Sequence, residues 1–177
     1  MTFDTVFTQS SNLIPGTMHK NPDCNWRMSD PKDIAVVTLA SSPPGITPAT
    51  LPAEGLFDQL AKSHALKGQQ FVAVGYGGLE PQLGGGKPGW EYPDIRKYAT
   101  STFDALNNTW LRLSQNPATG DGGPCYGDSG GPNFFHTSGM IAATTATGDA
   151  MCRATNVVYR LDTPTARAFL GQYVTLP

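Results

Sequence analysis

Short β-branched runs, each cut off by glycine or proline, set the limits on what this chain can fold into. Asp33-Ile34-Ala35-Val36-Val37-Thr38-Leu39 reads as a buried strand. Phe71-Val72-Ala73-Val74 reads as a second, ended by Gly75-Tyr76-Gly77. Ile95–Leu106 and Thr109–Leu113 read as a strand pair across Asn107-Asn108, and two further strands are expected near Met140–Thr145 and Asn156–Leu161. With 20 Gly, 15 Pro and only 15% charged residues, the chain favours a turn-rich all-β domain over a helix bundle. Helical spacing occurs twice. Leu56, Leu60 and Ala61 share a face in Gly55–Leu66. Near the C-terminus Thr163 is placed as an N-cap, Pro164 opens the first turn, and Ala166, Phe169, Leu170 and Tyr173 form one apolar face. Residues 1–32 read as loop, and Ser41–Pro52, with four prolines, as an extended linker.

Composition excludes several function classes. The net charge is −2, so the basic surplus of a nucleic-acid binder is missing. No apolar run approaches the roughly 20 residues that span a bilayer. The opening Met1-Thr2-Phe3-Asp4 has no signal-peptide character. Three cysteines, Cys24, Cys125 and Cys152, show no zinc-ligand spacing, so no metal and no cofactor is expected; one bridge plus one free thiol is the simplest arithmetic. Gly84-Gly85-Gly86-Lys87-Pro88 fails as a phosphate loop, because Pro follows the Lys. Asn107-Asn108-Thr109 fits a glycosylation sequon and fits a tight turn equally well.

The densest turn signal is the loop Gly120–Pro132, and within it Gly127-Asp128-Ser129-Gly130-Gly131 matches G-x-S-x-G. An α/β-hydrolase elbow needs the order Ser, acid, His. The last histidine, His136, follows Ser129 with no acid between them, which argues against that reading. Extended by Pro132, the segment resembles the G-D-S-G-G-P signature of trypsin-like serine proteases. Asp33-Ile34-Ala35-Val36 resembles that family's D-I-A-L strand, Gly75-Tyr76-Gly77 its G-W-G turn and Val158-Tyr159 its G-V-Y strand. Cys125 and Cys152 stand where the family has a disulfide, and the likeness runs over about residues 19–177.

The resemblance implies a chymotrypsin-like double antiparallel barrel with a C-terminal helix, and a role for each matching residue. Ser129 is the expected nucleophile. The N–H groups of Gly127 and Ser129 are the expected oxyanion hole, and Asp33 the acid that orients a histidine. Asp128 matches the acid that pairs in the family with a newly cut N-terminus. A Cys125–Cys152 bridge would stabilise by roughly 3–4 kcal/mol and tie the pocket wall to the nucleophile loop. Gly123, Pro124 and Val157 are expected to line the specificity pocket. With no charge at Gly123, a preference for apolar or small residues follows.

One member of the triad does not appear. The family's order is His, Asp, Ser, with the histidine in an A-A-H-C motif well before the Asp. Residues 1–32 contain only His19, in His19-Lys20-Asn21-Pro22, which resembles a non-catalytic family segment. His64 reads as a solvated helix residue and His136 as a structural hairpin residue. The sequence therefore reads as a protease domain lacking its front quarter. Residues 1–50 are expected to be a partial first barrel carrying Asp33, and 51–177 a complete second barrel carrying Ser129. The expected function is a serine endopeptidase acting on polypeptides, nearly inactive without its base. The rival is a non-catalytic homologue that binds peptides. The intact protein is expected outside the cell, with self-association possible through the open edge of the partial barrel.

Overall fold

A computed structural model describes residues 1–79, 81 and 89–177; the Gly84–Pro88 segment lies outside the described residues. Eight strands and two short helices follow in the order β1 (Gly16–Lys20), β2 (Ala35–Leu39), α1 (Leu56–Lys62), β3 (Gln70–Gly75), β4 (Lys97–Leu106), β5 (Trp110–Ser114), β6 (Pro132–Phe135), β7 (Ile141–Gly148), β8 (Thr155–Arg160) and α2 (Pro164–Leu170). Strands β3 to β8 close into one antiparallel barrel in the order β3-β4-β5-β8-β7-β6, with β6 returning to β3. Closure leaves these six strands without a free edge. β1 and β2 form a separate two-stranded antiparallel sheet. The architecture is all-β, as expected.

Alternation explains the barrel interior. In β5, Leu111 and Leu113 point inward and are fully buried, while Arg112 between them is exposed. They pack with Phe57, Leu66, Phe71, Ala142, Ala143 and Val158. A second cluster gathers Ile34, Tyr159, Leu161, Ala166, Phe169 and Leu170 under α2. Thr163 caps α2, its side chain accepting from the Ala166 N–H at 3.2 Å. Asn107 builds the β4–β5 turn, its Oδ1 accepting from the N–H groups of Thr109 and Trp110.

Several details differ from the sequence reading. β1 lies inside the stretch read as loop, and β6 starts at Pro132, the last residue of the glycine-rich loop. His64 is not on the helix: α1 ends at Lys62, and His64 takes a left-handed φ of 57° in the turn after it.

Candidate active site

The loop before β6 is shaped by glycine and held from three directions. Gly127 and Gly130 adopt φ of 98° and 80°, a region L-residues rarely enter. The Gly130 N–H donates to the Thr145 carbonyl at 2.8 Å, and the Thr145 N–H returns to Gly131 at 2.9 Å, tying the loop to β7. The Cys125–Cys152 disulfide ties it to the loop before β8. Between these anchors Ser129 is exposed, and its Oγ has no hydrogen-bond partner among the described residues. The N–H groups of Gly127 and Ser129 likewise have no acceptor there, although Asp128 N–H donates to Cys125 and Gly130 N–H to Thr145. Two unspent donors thus flank an unspent hydroxyl.

Asp128 fixes that arrangement from behind. Its carboxylate accepts from the Gly77 N–H at 2.7 Å and from the Cys125 N–H at 2.9 Å. A Cβ added at Gly75 would lie 1.9 Å from Asp128 Oδ1, and one at Gly77 would lie 2.4 Å from Cγ. Here the G-x-G spacing makes room for a carboxylate. Asp128 therefore holds main-chain amides, while the Met1 ammonium donates to the Ile14 carbonyl at 2.6 Å.

Asp33 lies just before β2, and its Oδ1 faces the Cys24 thiol at 3.8 Å. Burial, then the Asp33 carboxylate, push the Cys24 thiol above its usual range, so it stays protonated at neutral pH. Next to them the Tyr159 hydroxyl donates to Asp30 at 3.0 Å. Burial first, then that hydrogen bond, push the Tyr159 pKa up. No imidazole contacts Asp33 or Ser129 among the described residues. His19 Nε2 bonds Thr38 Oγ1 at 3.0 Å while its ring packs on Tyr173, His136 packs on Phe135, and His64 is exposed.

A cavity of about 170 Å³ opens beside Ser129. Of the three residues expected to line it, only Pro124 does. Gly123 lines a second cavity, of about 240 Å³, together with Asp128. The reason is steric: Gln115 fills the place, and a Cβ on Gly123 would meet its Oε1 at 2.1 Å. Val157 lines neither cavity, because strand alternation turns its neighbours Asn156 and Val158 to the barrel interior instead. Pro124, Gln115 and both disulfide cysteines line both cavities and so form the wall between them.

The profile of the trypsin family matches residues 8–168. The chain belongs to the trypsin family. No curated protein matches it in sequence.

In this trypsin-family chain the polar lining of the cavity was not anticipated from the sequence. Gln115 and Asn156 are 2% and 1% exposed, and Thr145 is 9% exposed. The signal was there for Asn156, which shares the inward phase of β8 with Val158. Asp149 organises the rim. It accepts from the N–H groups of Met151, Arg153, Ala154 and Thr155 and from Gln115 Nε2. Burial alone would raise its pKa, but these hydrogen bonds outweigh it and hold the carboxyl well below the usual range. Cys152, within this loop, takes a left-handed φ of 55°. The network thus sets one end of the disulfide.

Proposed function

We propose that this chain carries the nucleophile half of a serine endopeptidase that cleaves polypeptides through an acyl-enzyme on Ser129. In this reading Ser129 Oγ attacks the scissile carbonyl, and the N–H groups of Gly127 and Ser129 stabilise the oxyanion. Asp33 is the acid that orients a histidine, which the described residues do not place against it. The observation that carries the reading is the pair of unspent N–H donors flanking an exposed, unspent hydroxyl at the mouth of a cavity. The parts divide near residue 50: residues 1–50 bring Asp33 and 51–177 bring Ser129, Asp128 and the disulfide. The Cys125–Cys152 bond favours an extracellular setting.

Without a base, the hydroxyl is an ordinary alcohol. Losing the histidine of such a triad costs about 10⁶-fold, while oxyanion hole and binding retain roughly 10³–10⁴ over water. Free imidazole can stand in for the missing side chain. Fluorophosphonate labelling of the purified chain is expected to be slow, to accelerate with added imidazole, and to vanish in Ser129→Ala. Fast labelling without imidazole would place a base within the chain. Absent labelling at saturating imidazole would favour the second reading, a peptide-binding homologue, which is supported by Ser129 having no imidazole contact among the described residues.

A further inference from the structure

Three side chains beside the cavity form an open chain of hydrogen bonds. Asn156 Nδ2 donates to Asn133 Oδ1 at 3.0 Å, and Asn133 Nδ2 donates to Thr145 Oγ1 at 2.9 Å. One N–H of each amide is given in the same direction along the chain, which leaves an acceptor at one end and a hydroxyl at the other. At one end Asn156 Oδ1 is a buried acceptor with no partner among the described residues. At the other end the Thr145 hydroxyl has accepted a hydrogen bond, and its own proton has no acceptor among the described residues. Asn156 and Thr145 both line the cavity that Ser129 opens into.

An acceptor and a hydroxyl donor, both unspent, match one chemical group best: a primary amide, which offers an N–H and a carbonyl oxygen together. We propose that this cavity takes the side chain of glutamine or asparagine at the position preceding the scissile bond. The amide N–H donates to Asn156 Oδ1, its carbonyl accepts from Thr145 Oγ, and the open chain closes into a ring. The specificity-determining residues are then Thr145 and Asn156, with Asn133 positioning both. The proposal rests on the peptidase reading for the orientation of the peptide.

Charge argues against the alternatives. Asp149 is the carboxylate on the cavity wall, and both of its oxygens are occupied by N–H groups. A lysine or arginine would lose its water without gaining a free counter-charge. A glutamate would face Asn156 Oδ1 with no proton to offer. An apolar side chain would leave both ends of the chain unsatisfied, the penalty that lets such sites reject analogues lacking the group. The other unpaired oxygen, Gln115 Oε1, lies against Gly123 and stays outside the ring.

The test is a binding series on the unmodified chain, independent of catalysis. N-acetyl-Ala-Ala-X peptides with X as Gln, Met, Glu or Lys are titrated against ¹⁵N-labelled protein and followed by NMR. The Gln peptide is expected to bind about tenfold tighter than Met, with Glu and Lys weaker than Gln, and to shift the side-chain amide signals of Asn156 and Asn133. In Thr145→Val the Gln-over-Met preference is expected to disappear, and in Thr145→Ser to persist. Equal or tighter binding of Met, Lys or Glu overturns the proposal, as does no binding by any peptide. Gln-selective binding without imidazole-dependent labelling would keep the subsite and sink the peptidase reading; labelling without Gln preference would do the reverse.

Discussion

The closed barrel and the β1–β2 sheet solve the same problem to different degrees. Each barrel strand has two neighbours, and Phe71, Leu111, Leu113 and Val158 are completely buried between them. β1 and β2 have one neighbour each, and the cross-strand pair Met18 and Val37 stands 68% and 39% exposed. What holds the small sheet is its contact with the end of the chain: Ile34 and Val36 pack into the cluster under α2, and His19 lies on Tyr173. The consequence is functional. Ser129 is fixed by the barrel's own hydrogen bonds, whereas Asp33 is placed by an element that borrows its order from α2. The nucleophile loop should therefore survive perturbations that loosen the acid.

The largest test of that difference is Arg160. Its guanidinium is fully buried and pairs with Asp162 through Nε and Nη2, with Asp58, and with the Asn107 carbonyl. Asp162 also accepts from the Phe57 N–H at the start of α1. Burial opposes the charge, but these bonds outweigh it and push the Arg160 pKa up. Removing one partner of such a network leaves a buried charge, so Arg160→Ala should cost about 3–5 kcal/mol in urea unfolding. If the barrel is the independent unit, amide exchange should accelerate throughout β3 to β8. A loss below about 1 kcal/mol would mean water reaches Asp162.

Little of this network was legible in the sequence, because an Arg and two Asp in a soluble chain look like surface. The strands that were legible, β2, β3, β4, β5, β7 and β8, are dense in β-branched or alternating apolar residues. β1 was not, since Gly16-Thr17-Met18-His19-Lys20 has no buried face and owes its strand form to pairing with β2. β6 was masked by the glycines just before it. At the site, the turn glycines could be read from the sequence, and the disulfide pairing was what the family resemblance implied. The pocket lining could not, because which side chain occupies a place depends on strands meeting across the barrel: Gln115, just after β5, excludes any side chain at Gly123.

The disulfide sharpens the comparison from the barrel side. Its two cysteines are 27 residues apart, a closure worth about 3–4 kcal/mol in the loop-entropy account. Cys125→Ser combined with Cys152→Ser should lower stability by that amount in the same urea assay and abolish imidazole-dependent labelling. Amide exchange in β1 and β2 should change least.

A smaller effect is expected from acid. Asp149 is held below the usual carboxylate range in the folded state, so it binds a proton more readily when unfolded. Its contribution is therefore complete above about pH 4, near the unfolded value, and fades as the pH falls further toward the folded value. Asp149→Asn should flatten the fall in stability below about pH 4, measured by urea midpoints across pH. An unchanged slope would mean the loop hydrogen bonds are lost before the carboxyl titrates.

The smallest change in stability, and the most direct probe of the open sheet, comes from Met18 and Val37. Both side chains are exposed, so Met18→Thr with Val37→Thr should alter unfolding by no more than about 0.5 kcal/mol. Edge strands with exposed apolar residues are templates for pairing with another chain. Phe7, Leu13, Trp26, Met28 and Ile46 are also large apolar residues exposed in the first fifty positions. If this face drives association between copies, sedimentation velocity should show the double variant shifted toward monomer at concentrations where the parent associates, with Ser129 labelling unchanged. An identical distribution for both proteins would assign any association to another surface and leave the exposed pair as a tolerated consequence of a sheet with only two strands.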